Sequence, residues 1–173
     1  LWWPTGPNPA NYAALLRAWS SAGYIVAAPV FPLGNANAPG GPNENDIVNQ
    51  PGDMSAVITH LIVASRSPTG AFKGVINTHE IAVAGQSDGG VSALAATYAR
   101  RYRDRRVRAA VILSGAELPG LGPFSFAPGS PPLLATQGTA DTTNLPKYTY
   151  DFFNLASAPK YLLQLLGAGH LPP

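Results

Sequence analysis

The segment IAVAGQSDGGVSAL, residues 81–94, runs apolar from Ile81 to Ala84, breaks into Gly85, Gln86, Ser87, Asp88, Gly89 and Gly90, and resumes with apolar residues at helical spacing. Its centre fits the pattern G-x-S-x-G, which chance alone would supply about once in twenty chains of this length. The setting adds weight. A serine between a strand and a helix needs very small neighbours two residues on either side, because the two backbones cross closely there. Gly85 and Gly89 meet that need, and Gly90 lets the helix approach the sheet. The same turn puts Ser87 at a helix N-terminus, where backbone N–H groups and the dipole favour negative charge. The segment has neither G-x-G-x-x-G nor G-K-S/T, so dinucleotide and P-loop readings lack support.

Outward from this segment, short apolar runs alternate with amphipathic ones. Tyr24 to Ala28, Ile81 to Ala84, Val107 to Leu113, Leu133 to Thr136 and Tyr161 to Leu166 read as strands, with Leu1 to Trp3 as a stub. Asn8 and Pro9 open a helix carrying Tyr12, Leu15, Leu16 and Trp19 on one face and ending before Gly23. A second begins near Pro51 to Asp53 with Met54, Val57, Ile58, Leu61 and Ile62; a third follows the glycines with Val91, Leu94, Ala95 and Tyr98; a fourth spans Pro146 to Leu155. Nearly continuous apolar strands between helices indicate an α/β fold with a mostly parallel sheet of about six strands, covered on both faces as a three-layer α/β/α sandwich. The 173 residues are read as one domain, 1–173.

Only 12% of residues are charged, against about 25% in ordinary soluble proteins, and Gly and Pro number 18 each, which describes a compact, loop-rich chain. A net charge of +2 does not mark a nucleic-acid binder. Six of the eleven basic residues lie between Arg100 and Arg108, where cations at a helix C-terminus account for most of them and a surface for anionic partners is the alternative. The absence of cysteine excludes disulfides, thiolate metal sites and a cysteine nucleophile. The segment NENDIVNQPGD, residues 43–53, offers oxygen ligands without the ordered spacing of a calcium loop, so no metal and no cofactor is expected. No apolar run reaches the roughly twenty residues of a membrane span.

Of three histidines, His60 falls inside the second helix, His79 just before the Ile81 strand, and His170 in a glycine-flanked loop after the last strand. Asp88, Asp104, Glu117, Asp141 and Asp151 lie between Ser87 and His170. Asp141 is the best placed of these, in a loop at a strand end, with Glu117 second.

Taken in order, NYAALLRAWSSAGYIVAAP, VAGQSDGG, LATQGTAD and GAGH resemble the first helix and strand, nucleophile elbow, acid loop and histidine loop of the α/β-hydrolase superfamily. The resemblance is to small members without a cap domain: minimal bacterial lipases, dienelactone-hydrolase-like enzymes and cutinase-like polyesterases. The family's chain order, serine then acid then histidine, selects His170. The resemblance implies a carboxylic ester hydrolase with Ser87 as nucleophile, His170 as general base and acid, and Asp141 as its orienting carboxylate. It further implies an oxyanion hole from the backbone N–H groups of Asp88 and Thr5. Trp3 and Pro4 stand where relatives carry His-Gly, which places a rigid proline beside the second donor.

Against that family the chain reads as truncated at both ends, with apolar surface that would favour self-association. The short connection between the Val107 and Leu133 strands has no room for a helical cap. Trp3, Leu118, Phe124 and Phe126 would then wall an open cleft for small-molecule or polymeric esters. The resemblance alone implies secretion. A peptidase or thioesterase on the same triad, and a catalytically silent binding domain, are the competing readings.

Overall fold

A computed structural model of the chain describes residues 12–170. They form two compact units, one ending at Asn77 and the other beginning at Thr78.

In the first unit, helix α1 spans Ala13–Ser21, its start marked by Tyr12. The expected opening at Asn8 and Pro9, like the Leu1 to Trp3 stub, lies outside the described residues. Tyr12, Leu15, Leu16 and Trp19 form a half-buried stripe at the expected period. Helix α2 spans Gln50–Arg66 with Pro51 in its first turn. Its buried positions Ile58, Ile62 and Ser65 recur every three or four residues, and the Ser65 carbonyl and hydroxyl accept the N–H groups of Gly74 and Ile76. The run Tyr24 to Ala28 corrects the sequence reading. Among the described residues it pairs into no sheet, and Tyr24 and Ile25 are 65% and 43% exposed. An apolar run becomes a strand only where a neighbour satisfies its backbone, and its composition cannot supply that neighbour.

The second unit holds the sheet. Strands β1 (Ile81–Gln86), β2 (Val107–Leu113), β3 (Leu133–Gly138) and β4 (Lys160–Leu165) lie side by side in that order, every pair parallel. The unit therefore has the mixed α/β build with a parallel sheet, and the described residues contain four strands rather than about six.

Helix α3 (Asp88–Tyr98) joins β1 to β2, and helix α4 (Pro146–Leu155) joins β3 to β4. Both lie on the same face. A Cβ on Gly85 would overlap the Gly89 carbonyl of α3, and Thr149 of α4 bonds Gln137 of β3. The register places Gly85, Ile112, Ala135 and Val83, Ala110, Leu133 in two rows across this face. Val83, Ala110, Ile112, Leu133 and Ala135 are buried there beneath Val91, Leu94 and Ala95 of α3 and Phe152 of α4. At about 25 cal/mol per Å² of apolar surface, this core is the main stabilising term of the unit. On the other face Leu134, Tyr161 and Leu163 are exposed. In this unit the sandwich has two layers.

Candidate active site

Ser87 sits between β1 and α3 with φ 55° and ψ −124°, in the left-handed half of backbone space. A non-glycine residue there costs on the order of 1–3 kcal/mol, so the surroundings must hold it. They do so from both sides. Its N–H donates to the Leu113 carbonyl of β2 at 3.0 Å, and its own carbonyl accepts the Val91 N–H of α3 at 2.9 Å. Gly85 and Gly90 are crowded sterically: any side chain on Gly85 would collide with the Gly89 backbone, and a Cβ on Gly90 would stand 3.1 Å from the Gly115 Cα. The same need expected at Gly89 is not found, since a Cβ there would meet nothing within 4 Å.

The acid comes from the turn after β3. Asp141 Oδ1 accepts the N–H groups of Thr143 and Asn144, each at 2.9 Å, and its side chain is fully buried. Burial alone would push this carboxyl up. The hydrogen bond from His170, those from the Thr143 and Asn144 N–H groups, and the charge of the imidazole outweigh it and hold the group below the ordinary aspartate value.

His170 follows β4 on a loop stitched to the acid turn. The Gly167 N–H donates to Thr139 Oγ1 at 2.8 Å and the Ala140 N–H to the Ala168 carbonyl at 2.9 Å. Gly138 is a further close approach, because a Cβ there would meet the carbonyls of Ala168 and Gly169. The imidazole then bridges the two partners: Nδ1 is 2.8 Å from Asp141 Oδ2, and Nε2 is 2.8 Å from Ser87 Oγ. With Asp141 ionised, Nδ1 carries the proton, and Nε2 is left to accept the serine hydroxyl.

Ser87, Asp141 and His170 are thus brought together from sequence positions up to 83 residues apart. Asp88 is the first residue of α3, at the helix end that favours negative charge. Thr5 and Trp3 lie outside the described residues. Glu117 is not at the imidazole. It lines a cavity of about 260 Å³ with Tyr148 and Asp151, where burial and then the Asp151 charge push its carboxyl up. His60 and His79 are exposed, on α2 and ahead of β1.

Leu118 is half-buried at the start of a 3₁₀ turn, Pro119–Leu121, in the loop leaving β2. Phe124 and Phe126 are elsewhere. Phe126 lies 4.8 Å from the ring of Tyr98, stacks on Phe124 at 6.3 Å, and Phe124 bridges to Ala99. These rings cover the C-terminal end of α3, whereas Ser87 is at its N-terminal end, so they do not wall the serine. Two contributors went unseen in the sequence. Gln86 Nε2 donates to the His170 carbonyl at 2.5 Å, and Asn144 Nδ2 donates to the Ser114 carbonyl at 2.6 Å, tying the acid turn to the end of β2. Nothing in their spacing announces these long-range bonds; only the adjacency of Gln86 to Ser87 was available as a signal.

No family model and no curated protein sequence matches the chain. Solved structures do. SOBER1 of Arabidopsis thaliana is similar with a TM-score of 0.53 and 20% identity over 78% of this chain and 61% of its own. A puromycin-hydrolyzing peptidase of Mycobacterium tuberculosis is similar with a TM-score of 0.53 and 21% identity over 70% of this chain and 22% of its own. The chain therefore spans about three fifths of the first protein and about a fifth of the second. The parallel sheet, the strand-to-helix turn at Ser87 and these likenesses identify the chain's fold as that of the α/β hydrolases.

Proposed function

We propose that the chain is a serine-dependent carboxylic ester hydrolase working through an acyl-enzyme. The observation that carries this reading is the continuous hydrogen-bonded line from Asp141 through His170 to Ser87, with 2.8 Å at both steps. Ser87 Oγ attacks the ester carbonyl carbon while its proton passes to His170 Nε2, and Asp141 stays ionised beside the imidazolium. The carbonyl oxygen takes up the electron pair and meets the Asp88 N–H and, as the family resemblance implies, that of Thr5. Collapse of the tetrahedral adduct breaks the bond to the alcohol oxygen, which leaves with the proton from His170. Water then gives a proton to His170, attacks the acyl carbon, and the acid departs as Ser87 recovers its proton. Leu118 and Trp3 serve as apolar contacts for an extended acyl or polymer chain.

The name of the Mycobacterium tuberculosis protein supports a second reading, amide hydrolysis on the same three residues. A panel of p-nitrophenyl esters against aminoacyl anilides separates the two. The nucleophile is tested with a fluorophosphonate probe on the native chain and on Ser87→Ala. Labelling is expected to vanish in the variant, with a loss of turnover of about 10⁴ to 10⁶. Labelling that survives would remove Ser87 from the reaction.

A further inference from the structure

Against Asp141 lies a second buried side chain that neither the motif nor the triad accounts for. Gln137 is in β3, four residues before the acid, and is completely buried. An amide buried without partners would cost roughly 1–3 kcal/mol, so each of its atoms has to be accounted for. Its Nε2 lies 3.0 Å from the Gly138 carbonyl, 3.1 Å from the Asn144 carbonyl and 3.3 Å from Asp141 Oδ2. Its Oε1 accepts the hydroxyl of Thr149, also completely buried, at 2.6 Å. Three acceptors on one side and a hydroxyl on the other fix which end of the amide is nitrogen. Gly138 and Asn144 are the two ends of the turn that presents Asp141, so one amide group closes that turn from inside and touches the carboxylate at its centre. Thr149 belongs to the first half of α4, which makes the helix the fixed point of the arrangement.

We propose that Gln137, held by Thr149, is a positioning residue that sets the orientation of the Asp141 carboxylate toward His170. This rests on the reading of Ser87, His170 and Asp141 as one catalytic unit. Oδ2, the oxygen that Gln137 touches, is the one that meets His170 Nδ1. Oδ1 is held by the turn's own N–H groups. Each oxygen therefore has its own set of partners, which together oppose rotation of the carboxylate about its last bond. At 3.3 Å the Gln137 contact is the longest of the four on this carboxylate, so its effect is on geometry more than on charge.

The test uses Gln137→Met, Thr149→Val and Thr149→Ser, each first checked for native circular dichroism. Two readouts are taken: the low-field NMR signal of the His170 Nδ1 proton, which needs no substrate, and the rate of fluorophosphonate labelling at Ser87. Gln137→Met is expected to weaken or abolish the low-field signal and to slow labelling about tenfold, with KM for an ester substrate little changed. Thr149→Val should follow in the same direction by a smaller factor, and Thr149→Ser, which keeps the hydroxyl, should restore both readouts. If Gln137→Met does not fold, the contrast between Thr149→Val and Thr149→Ser decides. A folded Gln137→Met with an unaltered low-field signal would overturn the proposal, as would Thr149→Ser behaving like Thr149→Val. A native chain that fails to label while its low-field signal still depends on Gln137 would overturn the hydrolase reading and leave the positioning role standing.

Discussion

The two ends of α3 are held by opposite kinds of force. At its N-terminus the chain crosses itself backbone against backbone, with Gly85, Gly90 and Gly115 crowded by their neighbours, and Ser87 sits in a strained conformation. At its C-terminus the contacts are large and apolar: Tyr98, only 2% exposed, meets Phe126, which in turn stacks on Phe124. The first end confers geometry at a cost in conformational energy, and the second confers stability with no chemistry. With ten residue steps of about 1.5 Å each, the helix keeps them about 15 Å apart. The difference predicts that substitutions at one end change rate and that those at the other change folding.

The largest effect is expected at the acid. Asp141→Asn preserves size and burial, yet presents an N–H donor to His170 Nδ1. The imidazole then shifts its proton to Nε2, which can no longer accept from Ser87. Turnover should fall about 10⁴-fold, while the thermal midpoint at pH 7 should fall only by the share of stability that the ionised carboxylate supplies. Equal losses of rate and of stability would show that this end of α3 is no more specialised than the other.

That the meeting of Ser87, Asp141 and His170 could be read at all follows from the type of constraint at each end. A close backbone crossing demands glycine at a fixed offset, so Gly85 and Gly90 around Ser87 leave a written trace, and the turns at Asp141 and His170 follow strands whose apolar runs are plain. The strands β1 to β4 and the helices α3 and α4 were legible for the same reason, because local periodicity records which face is buried. Partnerships across the chain left no such trace. The bond from Gln86 to the His170 carbonyl links residues 84 positions apart, and Gln137 looks like any polar residue in a strand. Phe124 and Phe126 were misread because their loop leaves β2 at the carboxyl edge. A parallel β3 has to begin at the opposite edge, so the loop must cross the whole sheet, and its later residues arrive far from Ser87.

Packing at the C-terminal end should respond next. Phe126→Ala removes a ring that is 8% exposed and shared between Tyr98 and Phe124. A loss of about 3 kcal/mol is expected from denaturant titration, with the labelling rate of the folded fraction unchanged. A slower reaction in the folded fraction would mean that the two ends communicate along α3.

Acid sharpens the comparison from the other side. The Asp141 carboxyl is held below its ordinary value in the folded chain, after burial has been outweighed by the bonds from His170, Thr143 and Asn144. The folded state therefore favours the ionised group. Its contribution to stability is complete above the unfolded value of about 4 and is lost as the pH falls through the folded value. Thermal midpoints measured between pH 7 and pH 3 should drop, and the drop should be shallower in Asp141→Asn. Phe126→Ala should lower the whole curve without changing its shape.

The smallest effect is expected at Tyr98. Burial pushes its hydroxyl well up from the ordinary tyrosine value, so the group remains a neutral donor across the working range and bonds the Pro131 carbonyl at 2.8 Å. Tyr98→Phe keeps the ring against Phe126 and deletes only that bond, leaving a backbone carbonyl without its partner. The cost should be about 1–2 kcal/mol in denaturant titration, smaller than that of Phe126→Ala because the apolar contact survives. The labelling rate should stay within twofold of the native chain, since α3 is still anchored at Ser87 by the Leu113 carbonyl and by its own first turn. If the rate instead falls with the stability, the strain at Ser87 is being held from the far end of the helix, and the division between a geometric end and a packing end does not stand.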